Sequence, residues 1–372
     1  MTYRRLFSRA LSAAPDRLHF AAHSHHLWPD ASFDGQAAAW EDAASLADLK
    51  WGKVMGPIWA EAQGHIAREL NLPDPSTIAF SANTHDFLVR IVSAITKRPV
   101  RVLATDGEFH SFRRQMARWV DAGEVVLETV PVDRIVEAAQ AGTYDLIFAS
   151  QVLFNSGAIL GDIEALANLA QPEGPWVVID GYHGFMAIET DLSAVADRIF
   201  YLSGGYKYAM AGEGVCFLHA PHGFAPRPAV TGWYAAFDDL ALAPGAVGYA
   251  PDGRRFLGST FDPSGLYRFN AVQQMLATQG LTTAAISAHV ADLQRQFIDA
   301  TPLPTLRLLN GLGDGPHARF LAYQGAEAPA IHAALESHGV ITDVRGDVLR
   351  IGFGLYQSAE DVARMIKVLR TI

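Results

Sequence analysis

Short apolar runs alternate with amphipathic stretches along the chain as far as about Pro221. The apolar runs predict seven β-strands: Thr77–Ser81, Val100–Thr105, Glu124–Val130, Asp145–Ser150, Trp176–Asp180, Arg198–Ser203 and Val215–His219. Helical patterns precede or separate these runs at Ala31–Leu49, Pro57–Leu70, Asp86–Thr96, Ser111–Ala122 and Ile163–Leu169. Strands that alternate with helices form βαβ units, so we expect a mostly parallel sheet covered on both faces. The seventh run follows the sixth closely and could therefore be antiparallel.

The pattern changes after Pro221. Residues 224–263 are rich in glycine and proline, which predicts an ordered loop region. A long helix at Gly265–Gln279 then leads into a C-terminal unit. In that unit we predict strands at Leu306–Leu309, Ala318–Gln324, Val340–Val344 and Val348–Phe353, and helices at Ala328–His338 and Ala359–Leu369. This order of elements is an α+β arrangement.

Composition and charge narrow the class of protein. The 372-residue chain is 50% hydrophobic and 18% charged, which excludes a disordered protein. Its formal net charge of −10 argues against a nucleic-acid partner held through phosphates. No apolar run reaches the roughly 18 residues of a spanning helix, and Arg9 interrupts any signal-peptide core, so we expect no membrane association. Cys216 is the one cysteine, which fits a reducing cytoplasmic compartment.

Lys207 differs from the other lysines in its surroundings. The chain has five lysines, and the other four lie in charged or polar stretches, as surface lysines do. Lys207 lies among glycines and aromatic residues in YLSGGYKYAMAGEG. Burial or a nearby positive charge lowers the pKa of an amine and makes it a nucleophile. The structural alternative is a buried lysine whose ammonium group reaches out of a loop.

Two further segments end strands at the edge where open α/β sheets bind ligands. Asp180 ends an apolar strand one strand before Lys207, and His183 follows it in WVVIDGYHGF. Asn83 and Thr84 begin a helix, whose free N–H groups suit a phosphate, although such residues often only cap the helix. A lysine that forms a Schiff base and an aspartate that keeps the ring nitrogen protonated are expected of a pyridoxal 5′-phosphate (PLP) enzyme.

These segments resemble motifs of the class V aminotransferase family of PLP-dependent enzymes, and those of kynureninases most of all. The most specific match is Tyr206-Lys207-Tyr208 followed by Ala211-Gly212-Glu213-Gly214. The resemblance extends over nearly the whole chain. Its further matches are Ala82-Asn83-Thr84 with Ser93, Phe109, Asp180-Gly181-Tyr182-His183, Gly232-Trp233, Gly258-Ser259-Thr260, and Leu349-Arg350-Ile351 followed by Leu355-Tyr356-Gln357-Ser358.

The resemblance implies a fold and a division of the chain. The fold is α/β, the PLP-dependent transferase fold of the aspartate aminotransferase type. It has a large domain with a mostly parallel seven-stranded sheet and a smaller α+β C-terminal domain. The implied domains are an N-terminal segment, 1–50, that packs with the small domain; a large PLP-binding domain, 51–263; and the small domain, 264–372.

The resemblance also implies the residues of the site. Lys207, Asp180 and Tyr206 would be catalytic. Arg350 would bind the α-carboxylate of an amino acid substrate, and its structural alternative is a salt bridge with Asp343 or Asp347. A homodimer with shared active sites is implied, in which Gly258–Thr260 crosses the interface. The cofactor PLP would be bound by Asn83, Thr84, Phe109, Asp180, His183, Tyr206, Lys207, Trp233 and Thr260.

Two departures from the kynureninase pattern leave the substrate open. The G-N-S-L-G-L loop of kynureninases reads Ala22-His23-Ser24-His25-His26-Leu27 here, and we expect His25 and His26 to contact the substrate. Their G-H-E-V segment, which lines the substrate ring pocket, reads Lys50-Trp51-Gly52-Lys53-Val54. Kynureninase-like hydrolysis of a 3-acyl-alanine is therefore one hypothesis, and transamination of an unidentified amino acid is the alternative.

Other classes of protein are weaker alternatives. A cysteine desulfurase needs a mobile nucleophilic cysteine, whereas Cys216 lies in an apolar strand and is expected to be a buried thiol. His23 and His25 could bind a divalent metal in a hydrolase, but two alternate histidines are an unspecific pattern, so we expect no metal site. A regulator with a PLP-type fold normally carries a DNA-binding domain, and we expect none here.

Overall fold

A computed structural model describes residues 3–239 and 245–372. Its strands, in chain order, are β1 (Leu18–His19), β2 (Ile78–Ser81), β3 (Val100–Thr105), β4 (Val125–Val130), β5 (Leu146–Ser150), β6 (Trp176–Asp180), β7 (Ile199–Gly204), β8 (Cys216–His219), β9 (Arg307–Leu308), β10 (Phe320–Gln324), β11 (Val340–Ile341), β12 (Asp343–Arg345) and β13 (Val348–Gly352). Its α-helices are α1 (Ser8–Ser12), α2 (Asp30–Leu46), α3 (Lys50–Lys53), α4 (Trp59–Glu69), α5 (Thr84–Ala94), α6 (His110–Asp121), α7 (Ile135–Ala141), α8 (Ile163–Ala167), α9 (Ser264–Thr278), α10 (Thr283–Asp299), α11 (Ala328–Ser337) and α12 (Ala359–Leu369).

A seven-stranded mixed sheet forms the centre of the large unit, in the order β2-β8-β7-β6-β5-β3-β4. β8 is antiparallel to both of its neighbours, and the remaining pairs of strands are parallel. Strands β5 and β7 are buried at every position. Because successive side chains point to opposite faces of a sheet, both faces of these strands are covered. The predicted seven strands, their mostly parallel arrangement and the antiparallel last strand are confirmed.

The register of the sheet brings several strand ends to one edge. Ser150 pairs with Asp180, and Asp180 pairs with Leu202, so β5, β6 and β7 end side by side. Strands β2 and β3 run in the same direction as these three strands, and helices α5 and α6 begin just after them. The carboxyl edge of the sheet is therefore bordered by five chain segments, each of which the sequence places directly after a strand.

The C-terminal unit contains a four-stranded antiparallel sheet in the order β12-β13-β10-β9. It has its own apolar cluster, to which Val290, Leu321 and Ile351 belong. One strand prediction here was wrong: residues 340–344 form two strands, because β11 pairs with β1 whereas β12 pairs with β13. The strand predicted at Leu306–Leu309 is shorter than expected, and only Arg307–Leu308 pairs with β10.

The N-terminal segment joins the C-terminal unit. β1 pairs in parallel with β11, and Ala21 forms an isolated bridge with Gly352 of β13. Helix α2 packs along α9, which follows the large unit in sequence. The predicted domain limits at residues 50 and 263 stay predictions. Among the described residues, no helix is both long and apolar enough to cross a membrane.

Candidate active site

A cavity of about 420 Å³ lies at the carboxyl edge of the large sheet. This volume is in the range of small-molecule sites. Seven residues predicted from the sequence line it together: Asn83, Thr84, Phe109, Asp180, His183, Tyr206 and Lys207. The other lining residues are His85, Ser111, Ser150, Val152, Phe154 and Tyr182. The strand-end segments singled out in the sequence therefore meet at one site.

Lys207 lies in the loop after β7, and its side chain is buried. Its Nζ donates a hydrogen bond to the carbonyl oxygen of His23 over 2.6 Å. The same nitrogen lies 5.1 Å from the ring centroid of Tyr206 and 5.7 Å from that of Tyr182. Burial, and next the positive charge of Arg350, lower the pKa of the Lys207 amine to about 7. A large fraction of this amine is therefore neutral, and nucleophilic, near neutral pH.

Asp180 is the last residue of β6. Its Oδ1 accepts a hydrogen bond from the backbone N–H of Tyr182 over 2.9 Å, and burial raises the pKa of the carboxyl group to about 6. His183 is buried beside it on the cavity wall, and burial lowers the pKa of its imidazole, which keeps the ring neutral. Its Nδ1 has no hydrogen-bond partner among the residues that the structure describes. A carboxylate and a neutral imidazole thus line the same cavity.

The start of α5 forms another wall of the cavity. The side chain of Asn83 accepts a hydrogen bond from the backbone N–H of Asp86 over 2.9 Å, so Asn83 caps the helix as the alternative interpretation expected. Thr84 is the first residue of the helix and also lines the cavity. The N-terminus of an eleven-residue helix favours an anion through its free N–H groups and its dipole. Ser93 lies elsewhere, where its hydroxyl accepts a hydrogen bond from the backbone N–H of Val230.

Trp233 and Thr260 do not line the cavity of their own chain. Both are exposed at the surface. Their two segments lie together, because the backbone N–H of Tyr234 donates to the carbonyl oxygen of Gly258 over 3.1 Å and Gly232 abuts Gly258. Neither residue is therefore placed to contact a cofactor that lies against Lys207 of the same chain.

The three histidines of the N-terminal loop have different surroundings. The ring of His25 stacks on Tyr206 at a centroid distance of 4.9 Å, next to the cavity. The ring of His26 is buried against Phe7 and Tyr356, does not line the cavity, and has its pKa lowered to about 3 by burial. The structure thus does not bring the ring of His26, which was predicted to contact the substrate, to the cavity, because this ring points into the protein interior.

The alternative of a metal site is not supported by the geometry. The ring of His23 is buried and stacks on Phe320 at 4.9 Å, whereas the ring of His25 lies on Tyr206. In residues 3–239 and 245–372, no group of three or more histidine, cysteine, aspartate or glutamate side chains is arranged to hold a metal ion. The two histidines of the HxH pattern therefore do not converge on a shared site.

Arg350 forms the salt bridge that was its structural alternative. It is buried in β13, directly opposite Asp343 of β12, and its Nη2 contacts the carboxylate of that residue. Its Nη1 donates to the carbonyl oxygen of Phe154 over 2.6 Å. Since Phe154 lines the cavity, the guanidinium lies just behind the cavity wall. The Nε atom of Arg350 is buried and has no partner among the described residues.

Glu108 was not identified from the sequence. Its side chain is fully buried and accepts hydrogen bonds from the backbone N–H and the hydroxyl group of Ser150, over 2.8 and 2.5 Å, and from the hydroxyl group of Thr105 over 2.6 Å. Burial raises the pKa of its carboxyl group to about 7. Glu108 therefore fixes Ser150, which lines the cavity beside Asp180. A charged residue one position before Phe109, between a buried strand and a helix, was the available signal.

Cys216 is a buried residue of β8, as predicted. Its sulfur atom lies 3.3 Å from the hydroxyl oxygen of Tyr182, and burial raises the pKa of the thiol to about 12. The absence of a side chain at Gly204 leaves the space in which this thiol and hydroxyl meet. A thiol with such a pKa is protonated at neutral pH and is a weak nucleophile.

Comparison with protein families and curated proteins shows what the chain is similar to. Residues 285–369 match the family model of the kynureninase C-terminal domain. The chain is 31% identical over 227 residues to a probable cysteine desulfurase of Vibrio cholerae, over 56% of this chain and 53% of that protein. It is 29% identical over 192 residues to an isopenicillin N epimerase of Streptomyces clavuligerus, over 49% of this chain and 47% of that protein. The chain spans about half the length of these relatives.

Comparison with solved structures gives the fold. The structure of a cystine C–S lyase in complex with its product cysteine persulfide superposes on this chain with a TM-score of 0.81 and 18% sequence identity. The matched region covers 96% of this chain and 98% of the lyase. The apo cysteine desulfurase of Thermococcus onnurineus also has a TM-score of 0.81, with 15% identity, and covers 100% of this chain and 99% of its own. The chain therefore has the fold of PLP-dependent transferases. The predicted resemblance to the class V aminotransferase family is confirmed, and with it the predicted cofactor, PLP.

Proposed function

We propose that this protein is a PLP-dependent enzyme that acts on an amino acid and holds its cofactor covalently through Lys207. The observation that carries the proposal is the buried amine of Lys207, with its pKa lowered to about 7, in one cavity with Asp180. At such a site the lysine binds the aldehyde group of the cofactor, and the aspartate keeps the ring nitrogen of the cofactor protonated. A structural lysine would need neither the cavity nor the aspartate.

The residues around the cavity fit the cofactor. Thr84 and the free N–H groups at the start of α5 would hold the phosphate. Phe109 and the buried His183 lie on the cavity walls and would contact the ring, and Asp180 would serve its nitrogen. PLP, when bound, supplies an electron sink that stabilises negative charge on the α-carbon of a substrate.

The chain's own residues would then move protons and orient the substrate. The amine of Lys207 is half neutral near pH 7, so it can take a proton from the α-carbon and return it. Burial raises the pKa of the Tyr206 hydroxyl to about 12, so this group stays protonated and can assist proton transfer as a hydrogen-bond donor to the side chain of a substrate. Arg350, behind Phe154, would bind the α-carboxylate.

We propose kynureninase-like hydrolysis of a 3-acyl-alanine as the reaction. The match of residues 285–369 to the kynureninase C-terminal domain and the position of Tyr206 in the cavity support this reaction. Transamination is the second candidate. In kynureninases the segment that corresponds to residues 50–54 lines the pocket for the ring of the substrate. Here residues 50–54 do not line the cavity, which favours transamination. The buried thiol of Cys216 disfavours a reaction that uses a protein cysteine as nucleophile.

We also propose a homodimer with shared active sites. Trp233 and Thr260 are exposed, belong to two segments that contact each other, and lie outside the cavity of their own chain, which suits residues that reach the phosphate in the partner chain. The cytoplasmic location expected from the sequence stays a prediction.

A screen of amino acids against purified, PLP-loaded protein tests the proposed reaction. Hydrolysis of a 3-acyl-alanine releases alanine and a carboxylic acid, whereas transamination converts the amino acid into its keto acid and needs a keto acid as acceptor. Product analysis by mass spectrometry separates the two results. Protein that is colourless with PLP and unreactive with every amino acid would contradict the proposal. Stoichiometric metal in such protein would favour the alternative of a metal-dependent hydrolase.

A further inference from the structure

The hairpin of β12 and β13 places one carboxylate between two guanidinium groups. Asp343 is directly paired with Arg350, and Arg345 with Val348, across a turn in which Gly346 has a φ of 59°. Directly paired residues have their side chains on the same face of a sheet, and so do residues two apart in one strand. The side chains of Asp343, Arg345 and Arg350 therefore share one face.

The Oδ2 atom of Asp343 is the centre of this cluster. It contacts Nη2 of Arg350, lies 3.5 Å from Nη2 of Arg345, and lies 3.8 Å from Nε2 of His23. The side chain of Arg350 is 4% exposed, whereas that of Arg345 is 46% exposed. The guanidinium proposed to bind the substrate α-carboxylate thus already holds a carboxylate of its own chain.

We infer that Asp343 competes with the substrate α-carboxylate for Arg350, and that Arg345 holds the Asp343 carboxylate when the substrate is bound. The inference rests on the proposed function. Arg345 already lies within 4 Å of the competing oxygen, so Asp343 needs only a small movement to reach it. Two guanidiniums then face two carboxylates, and neither buried charge is left unpaired. Asp343 and Arg345 are positioning residues that set the affinity for a carboxylate.

Binding of propionate to the PLP-loaded protein tests the competition, with ethylamine as a probe that lacks the carboxylate. We expect calorimetry to show that Asp343→Asn binds propionate about tenfold more tightly than the wild type, because one competing charge-assisted hydrogen bond is removed. Binding of ethylamine should not change. Asp347→Asn is the matched control. It removes an acid of the same hairpin whose side chain accepts a hydrogen bond from Gln324 instead, and it should leave propionate binding unchanged.

A double-mutant cycle tests the role of Arg345. Arg345→Met should weaken propionate binding several-fold in the wild-type background, because Asp343 loses its alternative partner. It should have no effect in the Asp343→Asn background. An equal loss in both backgrounds would mean that Arg345 binds the ligand directly, and would overturn the inference. So would Asp343→Asn binding propionate no more tightly than Asp347→Asn, or no binding of propionate to any variant.

The folding of Asp343→Asn is checked by circular dichroism. If Asp343→Asn does not fold, the inference is tested with Arg345→Met alone. Propionate binding by Arg345→Met that equals that of the wild type would then overturn the inference. Failure of the proposed function is visible separately, as the lack of a covalent cofactor on Lys207.

Discussion

The amine of Lys207 should react with PLP at a pH at which an ordinary lysine hardly reacts. Only the neutral amine attacks an aldehyde, and burial together with the charge of Arg350 lowers the pKa of Lys207 to about 7. At pH 7 about half of this amine is neutral, whereas an ordinary lysine of pKa about 10.4 is neutral in roughly one molecule in 2,500. The rate of cofactor attachment to the apoprotein should therefore rise with pH, with a midpoint near 7, and then level off.

The perturbation is Arg350→Met, which removes the second cause of the low pKa and leaves the burial of the amine in place. Without this positive charge the protonated amine is less disfavoured, so the midpoint should move up, on the order of one pH unit. The assay is the absorbance of the bound cofactor, followed in stopped-flow mixing between about pH 5.5 and pH 9.5. Arg113→Met, which removes an exposed arginine of α6, is the control and should leave the midpoint unchanged.

Three results would refute this reasoning. A wild-type rate that keeps rising to the highest pH would mean an ordinary lysine. A midpoint that moves down in Arg350→Met would mean that the sign of the electrostatic effect is wrong. An equal shift in Arg113→Met would mean that the total charge of the protein, and not the group beside the cavity, sets the pKa of Lys207.

Three further predictions concern the cofactor, the thiol and the assembly. Asp180→Asn should keep the cofactor, seen by absorbance, but lose turnover by about 100-fold or more, because the amide cannot keep the ring nitrogen protonated; full activity would rule out this role. Cys216→Ser should keep turnover within about twofold, since the thiol is buried and protonated, and a complete loss would revive a protein-thiol reaction. Sedimentation should show a dimer, and Trp233→Ala should weaken cofactor retention in dialysis; an active monomer at assay concentration would contradict the shared site.

The large sheet and the composition of the cavity could be predicted because they depend on local patterns. Apolar runs bounded by polar residues fix strands that are buried on both faces, as in β5 and β7. In a parallel sheet the carboxyl ends of strands share one edge, so Asp180 and Lys207, which follow neighbouring strands, had to lie close together. Asn83, Thr84, Asp180, His183 and Lys207 could be placed at this edge for this reason, whereas Phe109 and Tyr206 were implied by the resemblance to the class V aminotransferase family.

The remaining features depend on contacts between distant segments. The partner of Arg350 is decided by the register of the hairpin of β12 and β13, which pairs it with Asp343 and not with Asp347. His26 lies in a loop next to Lys207 in space, yet its ring turns inward against Phe7 and Tyr356, and nothing local in the sequence signals this orientation. Glu108 lies between β3 and α6, and its role could not be predicted because its partner Ser150 ends the distant strand β5.

Helix α10 was not predicted, although its signal is local. Its apolar residues Ile286, Val290, Leu293 and Phe297 recur at helical spacing, and Thr282 caps its start through a hydrogen bond from the backbone N–H of Ala285. The side chains of this helix pack in the apolar cluster of the C-terminal unit.

Covalent attachment of the cofactor to Lys207 is the central claim, and reduction with borohydride followed by peptide mass spectrometry tests it most directly. The account predicts that the peptide with Lys207 carries the reduced cofactor in wild-type protein. It also predicts no label in Lys207→Ala and an unchanged label in Lys53→Ala, which removes a surface lysine. A label on a lysine other than Lys207, or equal labelling in Lys207→Ala and wild-type protein, would contradict the account.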